Sequence, residues 1–150
     1  MSSPFLTHRA KVLGHYSTAS WLRDVVMALY NGSMYKVGLS TLGSIDAEHY
    51  SAFAEMVAHY RTAGERDVAF HDLVHAIKQR LEEEEAARER AAELRSWMDD
   101  VRYELPKHVM ARSEVDDHYE WFERRFEAGS SPGDAAAEFV ALKRPPGGFA

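Results

Sequence analysis

The chain has 150 residues, a formal net charge of −6 and no cysteine. This length suits one domain with its own core, and a composition of 45% hydrophobic and 28% charged residues is ordinary for a globular protein. The acidic balance argues against general nucleic-acid or anionic-membrane binding, and the lack of cysteine excludes disulfides, thiolate zinc sites and cysteine nucleophiles.

Helices are predicted almost throughout the chain. The first has Ser17 or Thr18 as its N-cap and ends at Asn31-Gly32, and apolar residues recur between them at spacings of three and four. A second helix begins after Asp46 as the N-cap and ends at Gly64, because glycine readily takes the left-handed conformation of a C-cap. Asp67 can cap the next helix, so the sequence predicts a helical hairpin around Gly64.

A long helix is predicted from about residue 67 to residue 105. No helix breaker interrupts this stretch before Pro106, and 39 helical residues have a length of roughly 58 Å. The apolar seam is broken by four glutamates at 82–85 and then resumes on a displaced face. We expect two heptad-like segments joined by a solvated acidic turn. The long helix would either pack against one group of helices at each end or project from the body as an arm.

Two further helices are predicted near the C-terminus. One covers residues 113–129, and the other starts at Ser131-Pro132, where proline suits the first helical position. Residues 144–150 are expected to form a loose tail. The sequence as a whole predicts an all-α protein, one domain over residues 1–150, with five or six helices and one long central helix.

A metal site is one interpretation of the hairpin. If its two helices pack antiparallel about Gly64, three imidazoles and a carboxylate come together, a ligand set suited to zinc or iron. The candidate ligands are Glu55, His59, His71 and His75. Phe53, Val57, Phe70 and Val74 lie on a different arc of the same helices. If that apolar arc faces the core, the four polar side chains lie at its margin and the stretch is scaffold.

Macromolecule binding is the preferred interpretation. The stretch HYEWFERRF combines aromatic side chains with arginines, a composition common at binding hot spots. The acidic helix that follows residue 81 suits a basic partner. The candidate contact residues are Tyr35, Glu83, Glu84, Glu85, Glu89, Tyr119, Trp121, Arg124 and Arg125.

The stretch GHYSTASWLRDVVMALYNG, with the later segments IDAEHY and YRTAGERD, resembles uncharacterised small helical proteins of bacterial mobile elements. The resemblance covers roughly residues 14–80 and implies an inhibitor or adaptor of the anti-CRISPR or anti-defence type. We therefore expect a cytoplasmic, non-enzymatic protein without a cofactor. It would occlude or displace a subunit of a host protein or ribonucleoprotein complex, with no membrane association and no sequence-specific nucleic-acid binding. A homodimer joined through residues 87–105 is a further alternative.

Overall fold

The computed structural model of the chain describes residues 2–106 and 113–143. Within these residues the chain is all-α, as predicted, and it contains one long helix. The eight α-helices are α1 (Pro4–Thr7), α2 (Arg9–Val12), α3 (Ser17–Tyr30), α4 (Ala47–Ala63), α5 (Val68–Glu104), α6 (Ser113–Asp117), α7 (Tyr119–Glu127) and α8 (Pro132–Lys143). Short 3-10 helices cover Leu39–Gly43 and Gly64–Arg66. The predicted tail, 144–150, lies outside the described residues.

The described helices outnumber the five or six predicted for two local reasons. Ser3 caps α1 by accepting a hydrogen bond from the Phe5 amide, and Pro4 occupies the first helical position. At the other end of the chain, His118 separates α6 from α7 where one helix was predicted. Its Nδ1 donates to the Glu114 carbonyl oxygen at 2.9 Å, and its own backbone is not helical, with φ −117° and ψ 26°.

Residue contacts divide the chain into two compact units, Met1–Glu83 and Glu84–Ala150. We call them the N-terminal unit and the C-terminal unit. α5 contributes its first turns to the N-terminal unit and its last turns to the C-terminal unit. The prediction of a single domain stays a prediction.

The core of the N-terminal unit is built by α1 to α5. Three of its fully buried side chains are Phe5 from α1, Leu22 from α3 and Phe70 from α5. The Phe5 and Phe70 rings lie 4.9 Å apart between centroids, so α1 closes one side of this core despite its single turn. α4 ends at Gly64, as predicted, and the positive φ of 54° at this residue is one that glycine adopts readily.

The core of the C-terminal unit is largely aromatic. Phe122 is fully buried, and its ring lies 4.7 Å from Phe139 of α8. Trp97 of α5 packs edge-on against Phe126, and its Nε1 donates to the Ser130 carbonyl oxygen at 3.0 Å. The last heptad positions of α5, which are Leu94, Met98 and Val101, are buried in this same core, and so is Leu105 directly after the helix. Most of the seam proposed for a homodimer is thus covered within the chain, and the homodimer stays a prediction.

α5 continues as α-helix through the four glutamates at 82–85, where an acidic turn between two heptad segments was expected. Side-chain pairs one turn apart support this stretch, including Gln79 with Glu83 at 3.1 Å and Arg88 with Glu85 at 3.6 Å. The two apolar segments on either side lie in two different cores, as predicted. None of the helices in the described part of the chain combines the length and apolarity needed to cross a bilayer.

Candidate functional site

Three of the four predicted metal ligands have separate hydrogen-bond partners in the N-terminal unit. Glu55 lies 2.7 Å from His8 Nε2, and His71 Nε2 donates to the Glu65 carbonyl oxygen at 2.7 Å. His59 Nε2 lies 2.8 Å from Asp67. His75 is exposed beside a groove of about 610 Å³ between α1–α2 and the start of α5.

Metal coordination needs the free lone pair of an imidazole nitrogen. His71 Nε2 donates a hydrogen to a carbonyl oxygen and therefore has no free lone pair, and His59 Nε2 lies next to a carboxylate. Among residues 2–106 and 113–143, no three histidine or acidic side chains lie together as a metal-binding group. The hypothesis of a zinc or iron site stays a prediction.

The orientation of α4 explains where its polar side chains lie. Its fully buried residues are Ala52 and Met56, while Phe53 and Val57 are half-buried against the same core. His59 follows Met56 by three residues and therefore lies near this buried face, one helical turn further on. Its ring contacts the Phe5 ring edge-on at 6.1 Å.

Asp67 joins three segments of the N-terminal unit. Its Oδ2 accepts from Ser3 Oγ at 2.6 Å and lies 2.8 Å from His59 Nε2, while its Oδ1 accepts from the Ala69 amide at 2.9 Å. Burial would raise the pKa of this carboxyl, but the hydrogen bonds from Ser3, Ala69 and His59 outweigh it and lower the pKa. His59, one of the predicted metal ligands, therefore belongs to the hydrogen-bonded group that holds the N-terminal segment of the chain in place.

In the loop after α3, the predicted contact residue Tyr35 and its neighbour Met34 differ in exposure. Tyr35 is half-buried and packs against the core of the N-terminal unit. Its neighbour Met34 is 72% exposed. The exposed apolar side chain of this loop is thus the methionine, while the tyrosine serves mainly to hold the loop on the core.

The acidic stretch, residues 82–93 of α5, contains six glutamates and two arginines, a formal charge of −4. Every residue in it is exposed except Glu84, which is half-buried. Both arginines have acidic partners, Glu85 for Arg88 and Glu127 for Arg90. Glu89 has no ion-pair partner among the described residues, so the stretch presents negative charge to solvent.

In α7 the predicted contact residues divide between the core and the surface. Trp121 is half-buried, packs on Phe122 and Phe139, and carries the Arg125 guanidinium at 4.9 Å from its ring centroid. Arg125 also pairs with Glu138 of α8. Arg124 and Tyr119 remain exposed. Trp121 and Arg125 therefore join α7 to α8, and the free aromatic side chain is Tyr119.

Tyr119 lies at the edge of a groove in the C-terminal unit, which we call the α5–α7 groove. Leu94 and Met98 of α5 lie in it, Arg95 and the Arg102–Asp116 ion pair line it, and Ala91 connects it to the acidic stretch. Its volume is about 230 Å³. Small-molecule sites occupy roughly 300–1,000 Å³, so this groove suits a side chain of a partner better than a cofactor.

The Arg102 guanidinium lines the groove and is held in place by two ion pairs. It contacts Asp116 at 2.6 Å and Asp99 at 2.7 Å. Burial would lower the pKa of this group, but the two carboxylates outweigh it and raise the pKa. Tyr119 was proposed from the sequence as a contact residue, but the groove itself was not predicted, because its floor residues Leu94 and Met98 lie in the 87–105 segment that was considered only as a homodimer seam.

No protein-family model, curated protein or solved structure matches this chain.

Proposed function

We propose that the chain binds a basic surface of a macromolecular partner through a face that requires no catalysis. The α5–α7 groove would receive one apolar or aromatic side chain of that partner. The observation that carries this proposal is the position of Tyr119, 44% exposed at the edge of a groove whose floor is formed by Leu94 and Met98. Exposed aromatic side chains beside a small apolar pocket are typical of binding hot spots.

The charge of the neighbouring acidic stretch indicates that the partner's surface is basic. Within the C-terminal unit, residues 84–93 carry four glutamates and two arginines, and Ala91 belongs to both the stretch and the groove. A partner with lysine or arginine beside its apolar side chain would meet complementary charge. Nucleic acid itself would be repelled, so the partner is a protein or the protein surface of a ribonucleoprotein complex.

We further propose that this partner belongs to a host defence complex, which the chain inhibits by occluding or displacing a subunit. The support is the resemblance of residues 14–80 to small proteins of bacterial mobile elements, together with the acidic surface of the C-terminal unit. Occlusion requires no active site, only a surface that competes with the natural ligand. Anti-CRISPR or other anti-defence activity is the form of this proposal that can be measured in bacteria.

The test is inhibition of a defence system by matched variants. Tyr119→Ala removes the aromatic edge of the groove. Tyr103→Ala removes a side chain that is 82% exposed on α5 and does not line the groove. We expect Tyr119→Ala to weaken binding of the partner at least tenfold, about 1.4 kcal/mol, whereas Tyr103→Ala leaves it within twofold.

Charge reversal in the acidic stretch tests its contribution to binding independently of the α5–α7 groove. Glu85→Lys combined with Glu89→Lys should slow association and make it less sensitive to salt, because rim charges act chiefly on the rate of encounter. Equal loss of inhibition in Tyr103→Ala and Tyr119→Ala would contradict the use of the groove. Full inhibition by all of these variants would show that the partner does not bind to this face of the protein.

A further inference from the structure

A second chemical arrangement lies in the N-terminal unit, apart from any residue of the α5–α7 groove. Asp46 Oδ2 is 2.6 Å from His49 Nδ1, and His49 Nε2 is 3.0 Å from the hydroxyl oxygen of Tyr16. The carboxylate and the hydroxyl thus contact opposite nitrogens of one imidazole. In acyl-transfer enzymes this order of groups lets the carboxylate orient the ring and the ring take the proton of the nucleophile.

Asp46 is held firmly by its second role as the N-cap of α4. Its Oδ1 accepts from the backbone amides of Glu48 and His49, both at 3.0 Å, which leaves Oδ2 for the imidazole. The pKa of this carboxyl is lowered, first by the His49 amide and further by the His49 side chain, while burial opposes the shift. An ionised Asp46 keeps the hydrogen on His49 Nδ1 and leaves Nε2 free to accept from Tyr16.

The Tyr16 ring fits in this position because residue 14 is a glycine and has no Cβ atom. A Cβ atom at residue 14 would lie 2.3 Å from Tyr16 Cε1, closer than any real contact. The ring also packs edge-on against the His49 ring, with centroids 5.5 Å apart and planes at 80°. Tyr16 nevertheless stays 45% exposed, so a reagent from solvent can reach it. The Lys11 carbonyl oxygen lies 3.2 Å from the same hydroxyl oxygen and competes with His49 Nε2 for its single proton.

The charges around Tyr16 indicate which kind of electrophile could approach. Lys11 is paired with Glu48 at 2.7 Å, and Asp46 adds a second carboxylate. One cation and two anions give a net charge of −1 with His49 neutral. This surrounding repels a polyanionic phosphoryl donor and tolerates an uncharged acyl donor.

We propose that Tyr16 is a nucleophile activated by His49 and Asp46, and that it accepts an acyl group from an uncharged activated ester. The Tyr16 oxygen attacks the ester carbonyl carbon while the phenol proton passes to His49 Nε2. The bond from that carbon to the leaving alcohol oxygen then breaks, and His49 returns the proton to this oxygen. The product is a tyrosine ester, which water hydrolyses to the carboxylic acid and free Tyr16.

The experiment uses the full chain with 4-nitrophenyl acetate and measures acetylation of each tyrosine by peptide mass spectrometry. Tyr103, 82% exposed, is the internal reference because exposure alone would make it the more reactive phenol. We expect Tyr16 to be acetylated at least about tenfold faster than Tyr103. A rate at Tyr16 equal to or below the rate at Tyr103 would overturn the proposal.

Two variants test the mechanism. Asp46→Asn keeps an efficient N-cap and removes the carboxylate charge, and Gly14→Ala keeps all three side chains and displaces the ring. Each should lower the acetylation rate of Tyr16 about tenfold without changing the rate at Tyr103. Unchanged Tyr16 rates in both folded variants, or a parallel fall at Tyr103, would show that activation by His49 is absent.

Discussion

The two compact units differ in how they use their polar side chains. In the N-terminal unit, Asp67, His59 and Glu55 bond to partners within the unit and hold the first helical turn in place. In the C-terminal unit, an aromatic core joins the helices, and the groove beside Tyr119 stays open. A cluster of histidines and acids can therefore serve to hold the fold together. The apolar groove with its exposed aromatic edge is instead the surface that we propose for a partner.

The largest effect that we predict is the loss of Phe5. This side chain is fully buried and contacts the Phe70 ring, so Phe5→Ala should lower the free energy of unfolding of the N-terminal unit by about 3–5 kcal/mol. Amide hydrogen exchange measures this for each unit separately. Protection should fall in α3 and α4 and remain unchanged in α7 and α8.

Leu6→Ala is the matched control for this prediction. Leu6 is the next residue of α1 but is 59% exposed, and surface substitutions change stability by roughly 0.5 kcal/mol or less. Similar exchange in the Phe5→Ala and Leu6→Ala proteins would show that α1 is not docked as described.

Removal of Asp67 should have the next largest effect. Asp67→Ala deletes the acceptor of the Ala69 amide and the partner of Ser3 and His59, and we expect a loss of about 1–2 kcal/mol. Asp67→Asn keeps the cap and should lose less. Urea denaturation of the three proteins at pH 7, with hydrogen exchange to locate the change, measures the difference.

The same carboxyl predicts a dependence of stability on pH. Because the pKa of Asp67 is lowered in the folded chain, its contribution is present above the unfolded value of roughly 4 and is lost as the pH falls through the folded value. The stability difference between the natural protein and Asp67→Asn should therefore shrink as the pH falls below about 4. A difference that instead grows below this pH would contradict the assignment.

A smaller effect is expected at the glycine that follows α7. Gly129 has φ 77°, and its Ser130 neighbour donates to the Arg125 carbonyl oxygen at 3.0 Å in a helix-ending turn. Gly129→Ala should cost the C-terminal unit about 1 kcal/mol. Gly133→Ala, inside α8 with open space at its Cβ position, should be neutral or slightly stabilising. Thermal unfolding followed by circular dichroism compares the two, and equal shifts would contradict the turn.

The smallest expected effect is that of added metal. Glu55, His59 and His71 already have separate hydrogen-bond partners, so Zn²⁺ or Fe²⁺ should bind at less than one equivalent and leave the unfolding temperature unchanged. Elemental analysis of untagged protein, with His71→Ala as control, measures this. One equivalent of metal that is lost in His71→Ala would restore the metal-site hypothesis and displace the scaffold interpretation.

Much of the fold could be predicted from the sequence because its signals are local. Asp46, Gly64 and Pro106 mark helix boundaries, and the structure places the long helix within one residue of the predicted range. α1 was missed although Ser3-Pro4 is the same signal that correctly predicted α8 at Ser131-Pro132. Four residues give no periodicity, so a single-turn helix is recognised only by its cap.

The site was harder to predict because it depends on the rotation of helices. The stripe of Phe53 and Val57 indicated one buried face of α4, but Ala52 and Met56 are the residues that the core covers fully. That rotation brings His59 to Asp67. In the C-terminal unit the exposure of Tyr119 depends on the break at His118, which no pattern of apolar residues reveals.

The most direct test of the proposed function compares one position in each unit. A photo-crosslinking residue, p-benzoylphenylalanine, replaces Tyr119 in one protein and Tyr50, which is 52% exposed in the N-terminal unit, in another. We predict that position 119 forms an adduct with a basic protein of the host complex and that position 50 does not. An adduct formed only from position 50, or from neither position while inhibition persists, would contradict binding through the α5–α7 groove.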